Sequence, residues 1–123
     1  MMKTLTKLAI AAVLLAPLPV LAHHSYAMFD MQKTVTLQAT VVRFKWQNPL
    51  AFIEADAASR TGTESWSIEM TSPNNLAQEG WKRTSLKPGD RVTIYVHPLR
   101  SGARGGAYAG IVLPNGSKLG DVD

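Results

Sequence analysis

Apolar and polar residues alternate along most of the chain after residue 34, which is the pattern of half-buried β-strands. In the first such stretch the apolar positions are Leu37, Ala39 and Val41, and the phase then shifts to Val42 and Phe44. A change of phase within one strand predicts a β-bulge or a sharp bend. Further strands are predicted at residues 50–57, 65–70, 92–97 and 107–113.

The breaks between these strands carry helix and turn signals. Ser72-Pro73 is typical of a helix N-cap followed by proline in the first turn, and Gly80 is typical of the position just past a helix. We therefore predict a short helix over residues 73–79. Asn115-Gly116 is a hairpin signal that predicts a last short strand at residues 117–119.

This order of elements favours one barrel topology. A long bent first strand can serve two sheets, and a helix between the third and fourth strands is the arrangement of a Greek-key barrel of the OB type. We predict an all-β fold with one short helix, built as a small five-stranded OB-like barrel, with an open β-sandwich as the alternative. The inward phase of the strands predicts a core that contains Leu37, Val41, Trp66, Ile68, Met70, Val92, Ile94 and Ile111, and we also assign Trp81 to it.

The first 22 residues have the composition of a cleavable export signal. Lys3 and Lys7 precede a run of apolar residues that ends near residue 20, and Val20 and Ala22 are small enough for a signal peptidase site. The run is shorter than the about 20 apolar residues that a membrane span needs. We expect a signal peptide at residues 1–22, a flexible mature segment at 23–34 and one barrel domain at 35–123. No integral membrane span remains after cleavage, and the periplasm is the expected location, with the extracellular space as the alternative.

Composition narrows the possible functions. The chain has no cysteine, which excludes disulfides, thiolate zinc sites and iron–sulfur clusters. Removing Lys3 and Lys7 with the signal leaves 11 basic against 9 acidic side chains, so the formal net charge falls from +4 to +2. We therefore expect no nucleic-acid partner.

Several segments together resemble an exported bacterial family catalogued as domain of unknown function 6152. The segments that carry the resemblance are Ala22 to Tyr26 with Phe29-Asp30, Val35 to Val42, Trp46 to Pro49, Thr71 to Asn74, and Gly80-Trp81 through Leu86 to Asp90. The resemblance implies no activity, since the family is uncharacterised. The family pattern often has histidine after the Asn-Pro pair, where this chain has Leu50.

The mature N-terminus contains candidate metal ligands. Cleavage after Ala22 would place an α-amino group and an imidazole on His23, with His24 beside it and Met28 nearby. Imidazole and thioether ligands suit copper, and His97 would complete the site if the fold brings it close. The alternative is that the paired histidines form a solvated tail. No cofactor is certain, and copper is the candidate.

The predicted barrel suggests a second site. In OB-type barrels the loops after the first and fourth strands lie near one another beside the ligand face, and here they contain Trp46, Gln47, Asn48, Arg100 and Arg104. An aromatic ring, two amides and two guanidinium groups suit a saccharide or an anionic group. The alternative is that Trp46 belongs to the core and the arginines make a loop soluble.

The chain offers no arrangement that predicts catalysis. Its serines lie in cap or turn positions without a nucleophile-elbow pattern, and its glycines lack the lysine and helix of a phosphate-binding loop. We predict an exported, non-enzymatic binding module for a small molecule, saccharide or envelope protein at the barrel face. The alternative is a copper-handling protein.

Overall fold

A computed structural model describes residues 26–122. The predicted signal peptide, His23 and His24 lie outside the described residues. In chain order the elements are β1 (Val35–Lys45), β2 (Phe52–Ser59), β3 (Gly62–Glu69), α1 (Pro73–Gln78), β4 (Arg91–Pro98), β5 (Gly105–Val112) and β6 (Lys118–Gly120).

The strands form a closed barrel. The sheet order is β3-β2-β1-β4-β5-β6, with antiparallel neighbours throughout, and β3 also pairs with β5 in parallel. This last pairing joins the two ends of the five-stranded sheet, which confirms the OB-like barrel and excludes the open sandwich. The strand β6 pairs with β5 as an extra strand, as the Asn-Gly hairpin signal predicted.

Strand β1 belongs to both halves of the barrel. Its first part, Val35 to Thr40, pairs with β4, and its second part, Ala39 to Lys45, pairs with β2. The pairing register shifts between Val41 and Arg43, which confirms the predicted bulge. An extra residue bends a strand and increases its twist, and the bend lets one strand turn from one partner to the other.

The core fills the barrel and continues under the helix. Trp66 is only half-buried against the core, whereas the other predicted core residues and Trp81 are buried. The pairing of β3 with β5 starts at Ser67. Trp66 therefore lies where β3 has no second neighbour in the sheet, so its ring is less covered than the pattern predicted.

Helix α1 covers part of the core between β3 and β4. The Ser72 hydroxyl accepts a hydrogen bond from the Asn75 backbone N–H at 3.2 Å, Pro73 begins the helix, and Leu76 is buried. The helix ends one residue earlier than predicted. Within residues 26–122 no helix combines the length and apolar character needed to cross a membrane.

The described part of the predicted 23–34 segment lies against the barrel. Phe29 is buried and forms an isolated antiparallel bridge with Leu99, and the Asp30 backbone N–H donates to the Pro98 carbonyl at 2.8 Å. These contacts tie the segment to the end of β4, so it becomes one wall of the groove described next.

Candidate ligand-binding groove

A groove of about 790 Å³ opens where several separate segments of the chain meet. Its walls come from the N-terminal segment, the β1–β2 connection, the end of β3, the end of α1, and strands β5 and β6. Most of this lining is apolar or aromatic and includes Tyr26, Phe29, Met31, Leu50, Met70 and Tyr108. The volume lies in the range of pockets that hold small organic ligands, which is about 300–1,000 Å³.

Backbone hydrogen bonds connect the β1–β2 wall to the end of β3. The Ala51 N–H donates to the Thr71 carbonyl at 3.1 Å, and the Met70 N–H donates to the Ala51 carbonyl at 2.9 Å. Leu50, the neighbour of Ala51, is half-buried, while Met70 is buried. This wall is therefore held by main-chain contacts and does not depend on packing alone.

Tyr108 forms the β5 wall. Its hydroxyl donates to the Leu119 carbonyl at 3.1 Å, and its ring meets Trp81 edge to face with centroids 5.5 Å apart. Burial raises the pKa of Tyr108 well above its usual range; the Trp81 indole N–H opposes part of the rise, and the carboxylates of Glu79 and Asp121 add to it. The phenol is therefore neutral at physiological pH and its ring has a fixed orientation.

A row of aromatic rings connects the groove with the end of β1. Phe44 lies 5.5 Å from Trp81 and 5.7 Å from Trp46, centroid to centroid. Trp46 is half-buried and packs against the core. The Trp46 ring therefore contacts the core, as in the alternative stated above, in which Trp46 belongs to the core. Gln47 and Asn48 beside it are exposed. The Asn48–Pro49 peptide bond is cis.

The two predicted arginines make contacts of their own with the barrel. Arg100 donates from its backbone N–H to Met28 at 2.8 Å and from Nε to the Ala27 carbonyl at 3.2 Å. Arg104 lies 3.6 Å from the Glu64 carboxylate, and its carbonyl accepts from the Ser67 N–H at 3.3 Å. The guanidinium of Arg100 therefore helps to hold the N-terminal segment in place.

The five predicted ligand-binding residues fall into two groups. Trp46, Gln47 and Asn48 follow the end of β1, whereas Arg100 and Arg104 follow the end of β4. Because β4 runs antiparallel to β1, with Val96 opposite Val35, the two loops leave from opposite ends of β1. The groove nevertheless approaches both loops, because it is lined by Phe29, whose bridge partner Leu99 follows β4, and by Pro49, which follows Asn48.

The predicted metal ligands are only partly described. Met28 is exposed, and the Nδ1 atom of His97 lies 2.8 Å from the Lys33 carbonyl. Both therefore belong to the contact between the N-terminal segment and the end of β4. Among residues 26–122 no three His, Cys, Asp or Glu side chains are grouped as metal ligands.

Comparison with known proteins identifies the family. A family model described as a family of unknown function, DUF6152, matches residues 11–108. The chain belongs to this family. No curated protein and no solved structure matches the chain.

The DUF6152 match covers much of the groove. It contains the N-terminal wall, the β1–β2 connection, the end of β3 and Tyr108, and it ends before Ala109, Gly120 and Asp121. The part of the barrel formed by β1 to β4 lies wholly inside the matched range.

Our sequence analysis missed the groove and its residue Tyr108. One signal was present in the chain, because Tyr108 is the single large side chain in the stretch from Gly105 to Gly110, which otherwise contains only glycine and alanine. A large ring among small residues indicates a place where other segments approach closely. The other lining residues come from distant parts of the chain, and no local pattern connects them.

Proposed function

We propose that this DUF6152 protein is exported and acts as a non-enzymatic binding module, with a small apolar ligand held in the groove. The observation that carries the proposal is a groove of about 790 Å³ with mainly apolar walls. When a ligand removes the apolar side chains of a concave site from water, the free energy falls, and this decrease favours binding. The walls are held by the Phe29 bridge and the Tyr108 hydrogen bond, so little ordering is needed when a ligand binds.

Titration with Nile red, a neutral apolar dye, tests this proposal on the protein as the cell exports it. We expect a saturable increase in dye emission that is strongly weakened in Ala109→Phe, since Ala109 lines the groove and a phenyl ring there would occupy space that the dye needs. The matched control is Ala58→Phe, which adds the same ring to a smaller groove of about 380 Å³ at the other end of β2. Urea unfolding establishes that both variants fold.

Loss of dye binding in Ala58→Phe alone would indicate that the dye binds in the smaller groove. Binding that survives Ala109→Phe but is lost in Arg104→Ala or Trp46→Ala would favour the loops predicted from the sequence. An exported protein that binds no dye at all would contradict the proposal.

Export of the protein is tested separately, by the intact mass of the mature chain. We expect a signal peptidase to cut after Ala22, because Val20 and Ala22 are small residues that follow the apolar run. The intact mass of the protein isolated outside the cytoplasm should then correspond to a chain that begins at His23. A mass that includes residues before His23 would contradict this site, and recovery in the cytoplasm alone would contradict export.

Copper binding by the mature N-terminus is a second proposal. It is supported by the chemistry of His23 and His24 and by the position of Met28, whose carbonyl accepts from Arg100 beside the end of β4, the strand that carries His97. Copper titration should give the tightest binding for the chain that begins at His23. Weaker binding is expected for a form with one added residue before His23 and for His24→Ala, and weaker binding at lower pH because protons compete for the same nitrogen atoms. Equal binding by all three forms would contradict it.

A further inference from the structure

The charged side chains that line the groove are all acidic. They are Glu69, Glu79 and Asp121, and none of the described lining residues is Lys, Arg or His. The whole chain has the opposite balance, with 13 basic against 9 acidic side chains. The groove thus combines apolar walls with acidic side chains, and negatively charged side chains attract cations and repel anions.

Two of the carboxylates lie near the Tyr108 ring. Glu79 and Asp121 line the groove together with Tyr108, and the Asp121 backbone N–H donates to the carbonyl of Ala109, the neighbour of Tyr108, at 2.8 Å. Both carboxylates also add to the rise in the pKa of the Tyr108 phenol that burial causes. The phenol remains neutral. Its ring therefore offers an aromatic surface close to negative charge, and both features favour a positively charged group.

We propose that the groove binds a small organic cation with an apolar body, such as an alkylated ammonium compound. This inference rests on the proposed function and specifies its ligand. The apolar body would lie against Met31, Leu50 and Met70, and the cationic group would lie near the carboxylates and the aromatic rings. Fatty acids and other amphiphiles with an anionic head group should bind more weakly, since a negative charge near Glu79 and Asp121 would be repelled.

Three probes that share an octyl chain test the sign of the charge. They are octyltrimethylammonium, the neutral octyl glucoside and octanoate, each titrated into the exported protein below its micelle concentration and followed by NMR. We expect the ammonium compound to bind more tightly than octanoate by roughly tenfold or more, with the glucoside between them. Added sodium chloride should weaken the ammonium complex and leave the glucoside complex nearly unchanged, because salt screens only the charge interaction.

Paired substitutions test which residues cause the preference. The double variant Glu79→Gln, Asp121→Asn keeps the shape of both side chains, and we expect it to reduce the preference to about threefold or less. The control is Asp56→Asn, because Asp56 lies on β2 outside the groove, where it accepts a hydrogen bond from the Ser65 hydroxyl at 3.3 Å. This control should keep the wild-type preference. Urea unfolding of the double variant verifies that the barrel is intact.

The outcomes separate this inference from the proposed function. If octyl glucoside binds in the groove but the ammonium compound has no advantage over octanoate, the groove remains a binding site and the cation inference is overturned. A preference that persists in the folded double variant overturns it as well. If none of the probes binds and Nile red also fails to bind, the proposed function is contradicted and the inference with it.

Discussion

Neighbouring side chains on β4 have opposite surroundings, as the alternating pattern requires. Ile94 is fully buried between Leu37 on β1 and Ile111 on β5. Thr93 is half-buried, and its hydroxyl donates to the Gln38 side-chain oxygen at 3.0 Å. One position therefore contributes to the core and the other to the barrel surface.

We expect Ile94→Ala to lower the free energy of unfolding by roughly 2–5 kcal/mol, because it removes buried methyl and methylene groups and leaves a cavity. Thr93→Ala should cost about 1 kcal/mol or less, since it removes one partly exposed hydrogen bond. Urea unfolding followed by tryptophan fluorescence measures both losses. Losses that are equal and small would contradict the register of β4.

Tyr108 should make stability depend on alkaline pH. Its pKa in the folded protein is raised, so the unfolded chain loses the phenol proton first as the pH rises. The stabilising contribution is therefore complete below about pH 10, the ordinary tyrosine pKa, and is lost as the pH rises towards the folded-state value. We expect the free energy of unfolding to fall more steeply as the pH rises above about 10 in the wild type than in Tyr108→Phe.

The same variant has a second expected effect at neutral pH. Tyr108→Phe removes the hydrogen bond to the Leu119 carbonyl, which should cost about 1 kcal/mol. Urea unfolding at each pH gives both results from one set of samples. Parallel pH profiles for the two proteins would show that the phenol does not titrate differently in the folded and unfolded states.

At the scale of elements, short helices depend on their caps more than long ones do. Helix α1 has six residues, and it positions Leu76 over the core. The first N–H groups of any helix lack partners within the helix. Here the Ser72 hydroxyl accepts a hydrogen bond from one of them, the Asn75 N–H. Without that acceptor this N–H would have to form its hydrogen bond with water.

We expect Ser72→Ala to lower the free energy of unfolding by about 1 kcal/mol, the usual cost of losing an N-cap side chain. Gln78→Ala is the control on the same helix, because Gln78 is exposed in the last turn. It should leave stability nearly unchanged, since alanine is a good helix former. Chemical unfolding of the two variants measures the difference, and a cost as large in Gln78→Ala would contradict the capping role.

At the scale of the whole molecule, closure of the barrel depends on three residue pairs between β3 and β5. These pairs place Gly105 and Gly106 opposite Ser67 and Ile68. A Cβ atom added at Gly106 would lie 2.6 Å from the His97 carbonyl oxygen, which is closer than atoms in contact allow. The absence of a side chain at Gly106 therefore lets β5 approach β4 closely at the point where it also joins β3.

We expect Gly106→Ala to lower the free energy of unfolding by roughly 1–3 kcal/mol, the range for overpacking a dense interior. It should also increase the rate of amide hydrogen exchange in β3 and β5 more than in β1 and β2, because the strain falls on the closing strands. Ala103→Ser, in the exposed loop before β5, is the control and should change neither quantity. Uniform exchange rates across the barrel in Gly106→Ala would contradict a local role in closure.

Sequence patterns alone determined the elements and the topology of this barrel. Each of these features is recorded by residues close together in the chain: alternation gave the inward faces of the strands, the phase change after Val41 gave the bulge, and Ser72-Pro73 gave the start of α1. The barrel topology followed because a bent first strand and an intervening helix are compatible with few arrangements.

The tertiary structure alone decided the groove and its charge. Its walls are as far apart in the chain as Tyr26 and Asp121, so no local pattern could place them together. Trp66 shows the same limit, because its partial exposure depends on where β3 pairs with β5. Alternation records which way a side chain points from its own strand, but how much of that side chain is covered, and by what, depends on which distant segments pack beside it.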